Sequence, residues 1–347
     1  MQKKIKVLVV DDSGYVISAI SRRLSADAEI EVVGSARNGI EAVENVKNLQ
    51  PDVVTMDIVM PEMDGITALE KIMAECPTPV VMLSALTSAN ASITIKALEL
   101  GAVDFFLKPS AIKPAGNESG DDTLIMKIKT AASSRLVKKN MPLPDTDSFR
   151  KKKSPDTTAP FNNLVVIGSS TGGPNALMQV VPFLPADIPA GILIVQHMPP
   201  MFTRTLAERL DDASNISVRE AHDGNVVSKG AALLAPGDFH MAVNKHGKIT
   251  LSQEPTMHGV RPAVDFTMKA ASDSYGGSVI GVILTGMGED GTRGASYIKA
   301  RGGKILAQDQ STSAVYGMPM SVAKAGCVDK ILPLHKIAKG IVDACQN

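Results

Sequence analysis

The 347-residue chain is 44% apolar and only 3% aromatic, with no tryptophan, and its 36 Lys and Arg balance 36 Asp and Glu. Nothing in this neutral composition points to a nucleic-acid binder, and no stretch approaches the ~20 apolar residues that span a bilayer, so neither nucleic-acid binding nor membrane insertion is expected. Cys76, Cys327 and Cys345 lie far apart without metal-ligand spacing and read as reduced thiols of a cytoplasmic protein, while the length suits two domains with separate cores.

The basic start, Met1 to Lys6, leads into the apolar run Val7 to Val10, which meets two aspartates at once and is too short for an export signal. From there strands and helices alternate. The pattern predicts strand 6–10, helix 15–24 with Val16, Ile17, Ile20 and Leu24 on one face, strand 31–35 and helix 39–49. Strand 53–56, helix 66–74, strand 80–83, helix 91–100, strand 104–107 and helix 124–136 complete five βα units. Short continuous Val/Ile/Leu runs are what strands buried on both faces of a parallel sheet require.

In such doubly wound sheets, ligands sit outside the carboxyl ends of the strands, where Asp11, Asp12, Asp57, Ser84 and Lys108 all fall. Three carboxylates repel one another unless a cation joins them, and Mg2+ takes such oxygen ligands. Asp57 can then attack a phosphorus, with Lys108 offsetting charge on the phosphoryl oxygens and the Ser84 hydroxyl bonding one of them. A single strand-end aspartate would read as a helix cap; five complementary residues at successive strand ends point past that duty. The segment from Ile5 to about Lys139 resembles the receiver domain of two-component response regulators. The resemblance rests on the acidic pair, the Asp57-Ile-Val-Met-Pro-Glu-Met-Asp-Gly65 loop, Ser84-Ala85 and Lys108-Pro109. It implies that a histidine kinase donates phosphate to Asp57 and that Phe105 reorients with the state of Ser84 in a two-state switch.

Between about Lys138 and Pro160 the composition shifts to Pro142, Pro144, Pro155, Pro160, a polar Asp145-Thr-Asp-Ser run and Lys151 to Lys153, which cannot form a packed core. The expected division is a domain over 1–139, a linker over 140–160 and a domain over 161–347. The lysine run reads as a solvated face.

Strand Leu164 to Ile167 runs into Gly168-Ser-Ser-Thr-Gly172, and after Gly173 a helix begins with Pro174 near its first turn. Such an elbow can lift Ser170 into an exposed position beside helix N-terminal amides. A serine needs a histidine to take its proton and a carboxylate to orient that histidine. His197 directly follows the apolar strand Gly191 to Val195 and is the expected base. His240 and His246 lie in or near a hairpin over 239–252 that turns at His246-Gly247, where exposed or packing roles are expected; His222, His258 and His335 have no assigned role. For the acid, Asp290 in the loop after strand 279–284 and Asp309 at the end of strand 304–308 are not separable by spacing. A phosphate-binding loop at Ser170 would lack the Walker lysine and the full G-x-G-x-x-G spacing, and a phospho-regulated binding module would use the serine only as a cap.

Phe161 to about Cys345 resembles the catalytic domain of the chemotaxis protein-glutamate methylesterases, the CheB family. The matching motifs are Gly168-Ser-Ser-Thr-Gly-Gly-Pro174, Gln196-His197-Met-Pro199, Ala235-Pro-Gly-Asp238 and Leu284-Thr-Gly-Met-Gly-Glu-Asp-Gly291, and the domain order matches too. The resemblance carries the triad onto Ser170, His197 and Asp290. It implies phosphorylation-activated hydrolysis of glutamate γ-methyl esters on chemoreceptors, with receptor glutamine deamidation, and no cofactor for that step. Backbone amides near Thr171 and Met287 are the expected oxyanion donors. The expected fold is α/β: two doubly wound, mainly parallel-sheet domains, a flavodoxin-like receiver and a larger methylesterase domain with a β-hairpin.

Overall fold

The computed structural model describes residues 3–108, 118–134 and 161–346, and the chain divides into two compact units, Met1–Leu136 and Val137–Asn347. Pro109 and the expected linker over 140–160 lie outside the described residues.

The first unit runs β1 (Ile5–Val10), α1 (Gly14–Ser25), β2 (Ile30–Ala36), α2 (Gly39–Leu49), β3 (Val53–Asp57), α3 (Gly65–Glu75), β4 (Val80–Ser84), α4 (Ser88–Leu100), β5 (Asp104–Leu107) and α5 (Glu118–Ser133). Its parallel sheet has the order β2-β1-β3-β4-β5, the flavodoxin-like arrangement whose ligand crevice lies between β1 and β3. Val7, Val9, Val53, Val81 and Leu83 form the buried centre against Leu24, Leu124 and Ile128 of the helices. Ser13, Asn38, Asp64 and Thr87 cap the first four helices through their side chains. Helix capping therefore does not occupy Asp11, Asp12 or Asp57. α5 begins at Glu118, ahead of the expected Leu124, because the apolar periodicity that marks it in the sequence starts only at Leu124.

The second unit runs β6 (Asn163–Ser169), α6 (Gly173–Met178), β7 (Ala190–Gln196), α7 (Phe202–Ala213), β8 (Ser217–Glu220) and β9 (Ala231–Leu234). The hairpin β10 (His240–Val243) and β11 (Ile249–Ser252) follows, then α8 (Val264–Tyr275), β12 (Val279–Ile283), α9 (Thr292–Ala300), β13 (Lys304–Gln308), α10 (Met318–Lys324), β14 (Lys330–Leu332) and α11 (Leu334–Gln346). The seven-stranded parallel sheet has the order β14-β13-β12-β6-β7-β9-β8. Winding leaves β6 toward β7 in one direction and continues from β12 through β13 to β14 in the other, so the switch point lies between β6 and β12. The antiparallel hairpin pairs His240 with Ser252 and turns through Gly247, whose φ of 75° suits glycine. α8 packs over β6 and β10, burying Val264 and Met268 against Val166, Met241 and Ile283 in one core. No described helix is long and apolar enough to cross a membrane.

Candidate functional site

Two groups of polar side chains gather at carboxyl sheet edges, one in each unit. In the first, β1 and β3 pair in parallel with Val10 opposite Met56, so the next residues, Asp11 and Asp57, emerge side by side. The Lys108 backbone N–H donates to Ser84 O at 2.8 Å, and its ammonium lies 2.6 Å from Asp11 Oδ2 and 2.8 Å from Asp57 Oδ1. Burial pushes the Asp57 carboxyl above its ordinary range; Lys108 opposes that shift and Asp11 adds to it. Burial alone would lower the Lys108 value, but its bonds to Asp11 and Asp57 outweigh that and hold the ammonium charged. Asp12 stands exposed at the rim, and Asp11, Asp12 and Asp57 each bring an oxygen within 4.8 Å of the others. Three hard oxygen donors answered by one ammonium suit a small divalent cation such as Mg2+.

Ser84 is buried, donating to Ala85 O at 3.3 Å and accepting from Thr94 Oγ1 at 2.9 Å. Thr94 has no signature in the sequence, since it lies within a helix ten residues from its partner. Phe105 is buried, with Lys127 Nζ 5.6 Å from its ring centroid.

In the second unit, Ser169 of β6 lies opposite Gln196 of β7, so Ser170 and His197 leave adjacent strands together, and the His197 backbone N–H donates to Ser169 O at 3.2 Å. The elbow after Ser170 turns through Gly172, whose φ of 75° and approach to Ala314 exclude a β-carbon. From the far side of the switch point, the loop after β12 brings Asp290 Oδ2 to 2.8 Å from His197 Nε2. Asp309 is spent in its own turn, accepting from Ser311 Oγ, Thr312 N and Thr312 Oγ1.

The Asp290 carboxylate also accepts from Val264 N at 2.7 Å, Asp265 N at 2.9 Å and Gly291 N at 2.9 Å. Two of those amides open α8, where the helix dipole favours an anion. Burial alone would raise the Asp290 carboxyl, but His197 and these amides hold it below its ordinary range. Asp265 returns the arrangement: from the first turn of α8 it accepts from Gly294 N of α9 at 2.7 Å and from His258 Nε2 at 2.8 Å.

Gln196 and Thr285 were not legible as site residues. The Gln196 side chain is buried; its Nε2 donates to Ser170 O at 2.9 Å and His197 O at 3.2 Å, while its Oε1 accepts from Ser169 Oγ at 2.7 Å. One amide thus ties both loops. Thr285 O accepts from Ser170 N at 3.0 Å, and Thr285 Oγ1 donates to Thr171 O at 3.0 Å. The available signal was a polar residue closing or following an all-apolar strand. Thr171 directly follows Ser170, and Met287 follows Gly286, where a β-carbon would lie 2.8 Å from Ser170 Cβ.

Two family models match the chain: CheB methylesterase over residues 165–341 and response regulator receiver domain over 7–114. A protein-glutamate methylesterase/protein-glutamine glutaminase of Pyrococcus horikoshii is 46% identical over 100% of this chain and 95% of its own length. One of the same name from Thermotoga maritima is 44% identical over 98% of each chain. The crystal structure of the Thermotoga maritima CheB methylesterase catalytic domain matches with a TM-score of 0.51 and 48% identity, covering 52% of this chain and 98% of that one.

Proposed function

The chain belongs to the CheB methylesterase family, and from that premise we propose that it hydrolyses glutamate γ-methyl esters on chemoreceptors and deamidates receptor glutamines when its receiver unit is phosphorylated. The observation that carries this reading is the meeting of the Ser170 elbow, His197 and Asp290 at one switch point, with the 2.8 Å His197–Asp290 bond.

Ser170 Oγ attacks the ester carbonyl while His197 takes its proton through Nδ1, the ring nitrogen not engaged by Asp290. The same proton then goes to the leaving methoxide, releasing methanol, and water cleaves the acyl-enzyme with His197 again as base. Asp290 fixes the tautomer and stabilises the imidazolium; its four hydrogen bonds keep it ionised through the cycle. Backbone amides near Thr171 and Met287 are the proposed oxyanion donors, because Thr171 directly follows Ser170 and Met287 directly follows Gly286, where an added β-carbon would lie 2.8 Å from Ser170 Cβ.

In the receiver unit Asp57 accepts the phosphoryl group from a chemotaxis histidine kinase. Lys108 meets the charge on the transferred group, Ser84 bonds one of its oxygens, and Phe105 follows Ser84. Asp11, Asp12 and Asp57 would hold Mg2+, which supplies charge neutralisation at the phosphoryl oxygens. The setting is the cytoplasm, where receptor helices and kinase are both within reach.

Methanol release from methylated receptor membranes, measured with and without a small phosphodonor and Mg2+, tests the reading. The expected result is release that depends on Ser170 and rises with phosphodonor. A folded chain that releases none is a binding module instead.

A further inference from the structure

Asp265 and His258 take no part in the steps above, yet they border the acid that does. Asp265 is 2% exposed, and one oxygen of its carboxylate lies within 4.8 Å of one from Asp290. Buried carboxylates that close disfavour each other's ionisation unless positive ends face both. Asp290 is answered by His197 and the α8 amides. Asp265 is answered by Gly294 N and by His258 Nε2, at 2.7 and 2.8 Å.

His258 Nε2 also lies 3.9 Å from Asp290 Oδ1, and its Nδ1 lies 4.0 Å from Glu289 Oε1. Its backbone takes φ of 53°, a left-handed conformation that costs a histidine energy and that the surroundings must enforce. The titratable groups facing the two carboxylates are His197 after β7, His240 of β10, His258 before α8, and Glu289 beside Asp290. Of these, His258 is the one bonded to Asp265. Burial, reinforced by the neighbouring Asp290 charge and opposed by the Gly294 amide and His258, leaves the Asp265 carboxyl above its ordinary range.

Resting on the esterase reading, we propose that His258 and Asp265 are positioning residues, a second imidazole–carboxylate pair that sets the negative potential at Asp290 and so the pH at which His197 can accept the serine proton. Asp265 adds negative charge beside the triad acid and favours the imidazolium. His258 donates to that charge and moderates it.

The test is the pH profile of kcat/KM for receptor-methyl hydrolysis by the full chain, compared among wild type, Asp265→Asn, His258→Asn and the double variant. Asparagine at 265 can still accept from Gly294 N and offers an amide N–H to the imidazole, so the charge goes while the contacts stay. Asparagine at 258 is among the residues that adopt positive φ most readily. Asp265→Asn should move the acid limb to lower pH by about half a unit or more, and His258→Asn should move it the other way. The double variant should follow Asp265→Asn, because a neutral residue 265 leaves the imidazole no charge to moderate.

Acid limbs that stay at the wild-type position, with or without a uniform loss of rate, overturn the proposal, as do single variants that shift in the same direction. Should Asp265→Asn not fold, His258→Asn carries the test alone, since that side chain is 22% exposed at the edge of the pair; an unmoved limb again overturns it. A wild-type chain that releases no methanol fails the esterase reading instead, before any limb is compared.

Discussion

Placing a methyl group at Gly286 tests whether the loop after β12 sets the position of Ser170. The added β-carbon would lie 2.4 Å from Met318 Sδ, 2.8 Å from Ser170 Cβ and 3.1 Å from Ser170 N, where ordinary contact begins at 3.4 Å. Met318 ends in a flexible thioether and can give way, at an overpacking cost of about 1–3 kcal/mol. Ser170 has no such freedom. Its N–H donates to Thr285 O at 3.0 Å, and its carbonyl accepts from Gly173 N at 2.8 Å and Gln196 Nε2 at 2.9 Å. Relieving the Ser170 Cβ contact needs a displacement of about 0.6 Å, the shortfall of 2.8 Å from 3.4 Å. Either the elbow, which carries Ser170, or the loop, which carries Asp290, must yield.

A misplacement of about 1 Å costs on the order of 10²-fold, so Gly286→Ala should lower kcat roughly 10- to 100-fold and KM little, because the atoms displaced react rather than bind. Methanol release gives the rate constants, and labelling of Ser170 by a fluorophosphonate should slow in parallel while thermal denaturation still reports a folded domain. A folded Gly286→Ala variant with kcat within about twofold of wild type would refute the idea that this approach positions the nucleophile.

Asp290→Asn turns an N–H2 toward donors in either amide orientation and should cost about 10³–10⁴-fold in kcat, whereas Asp309→Asn should cost under about tenfold; methanol release from the two folded variants decides between them. Because the Asp290 carboxyl is held low, its stabilising contribution is present above the unfolded-state value and is lost as pH falls through the folded one. Urea melts at stepped pH should show that acid limb flattened in Asp290→Asn. The Asp57 carboxyl is raised, so its contribution has the opposite sign and is lost as pH rises through the folded value: Asp57→Asn should gain stability at neutral pH in a denaturant melt and lose the acid-labile, Mg2+-dependent phosphoryl label. Gln196→Leu removes the acceptor of the buried Ser169 hydroxyl and the side-chain donor to His197 O and to Ser170 O, the last of which keeps Gly173 N; at about 1–3 kcal/mol for a buried group left unpaired, it should lower both the melting temperature and kcat, the latter at least about tenfold.

The sheets were legible because strands buried on both faces must be continuous apolar runs, and Val7 to Val10 or Ile192 to Val195 can be little else. Asp57, Lys108, Ser170 and His197 could be named as candidates for a related reason: a polar residue where such a run stops falls at the edge where these folds bind ligands. Asp290 and Asp309 share that property, which is why spacing left them tied. What separates them is sheet order. β12 borders β6 and β13 lies one strand farther out, so the loop after β12 can reach His197 while the loop after β13 folds into its own turn. Strand order is a relation between distant segments, and nothing local in either loop records it. The same holds for the exchange in which Asp290 holds the first amides of α8 and Asp265 holds one of α9. Each aspartate alone reads as a local cap or turn residue, and only the packing of α8 against α9 makes them partners. A charge placed at one helix start is thereby felt at the other, which is how His258, at the outer edge, comes to bear on a serine it does not touch.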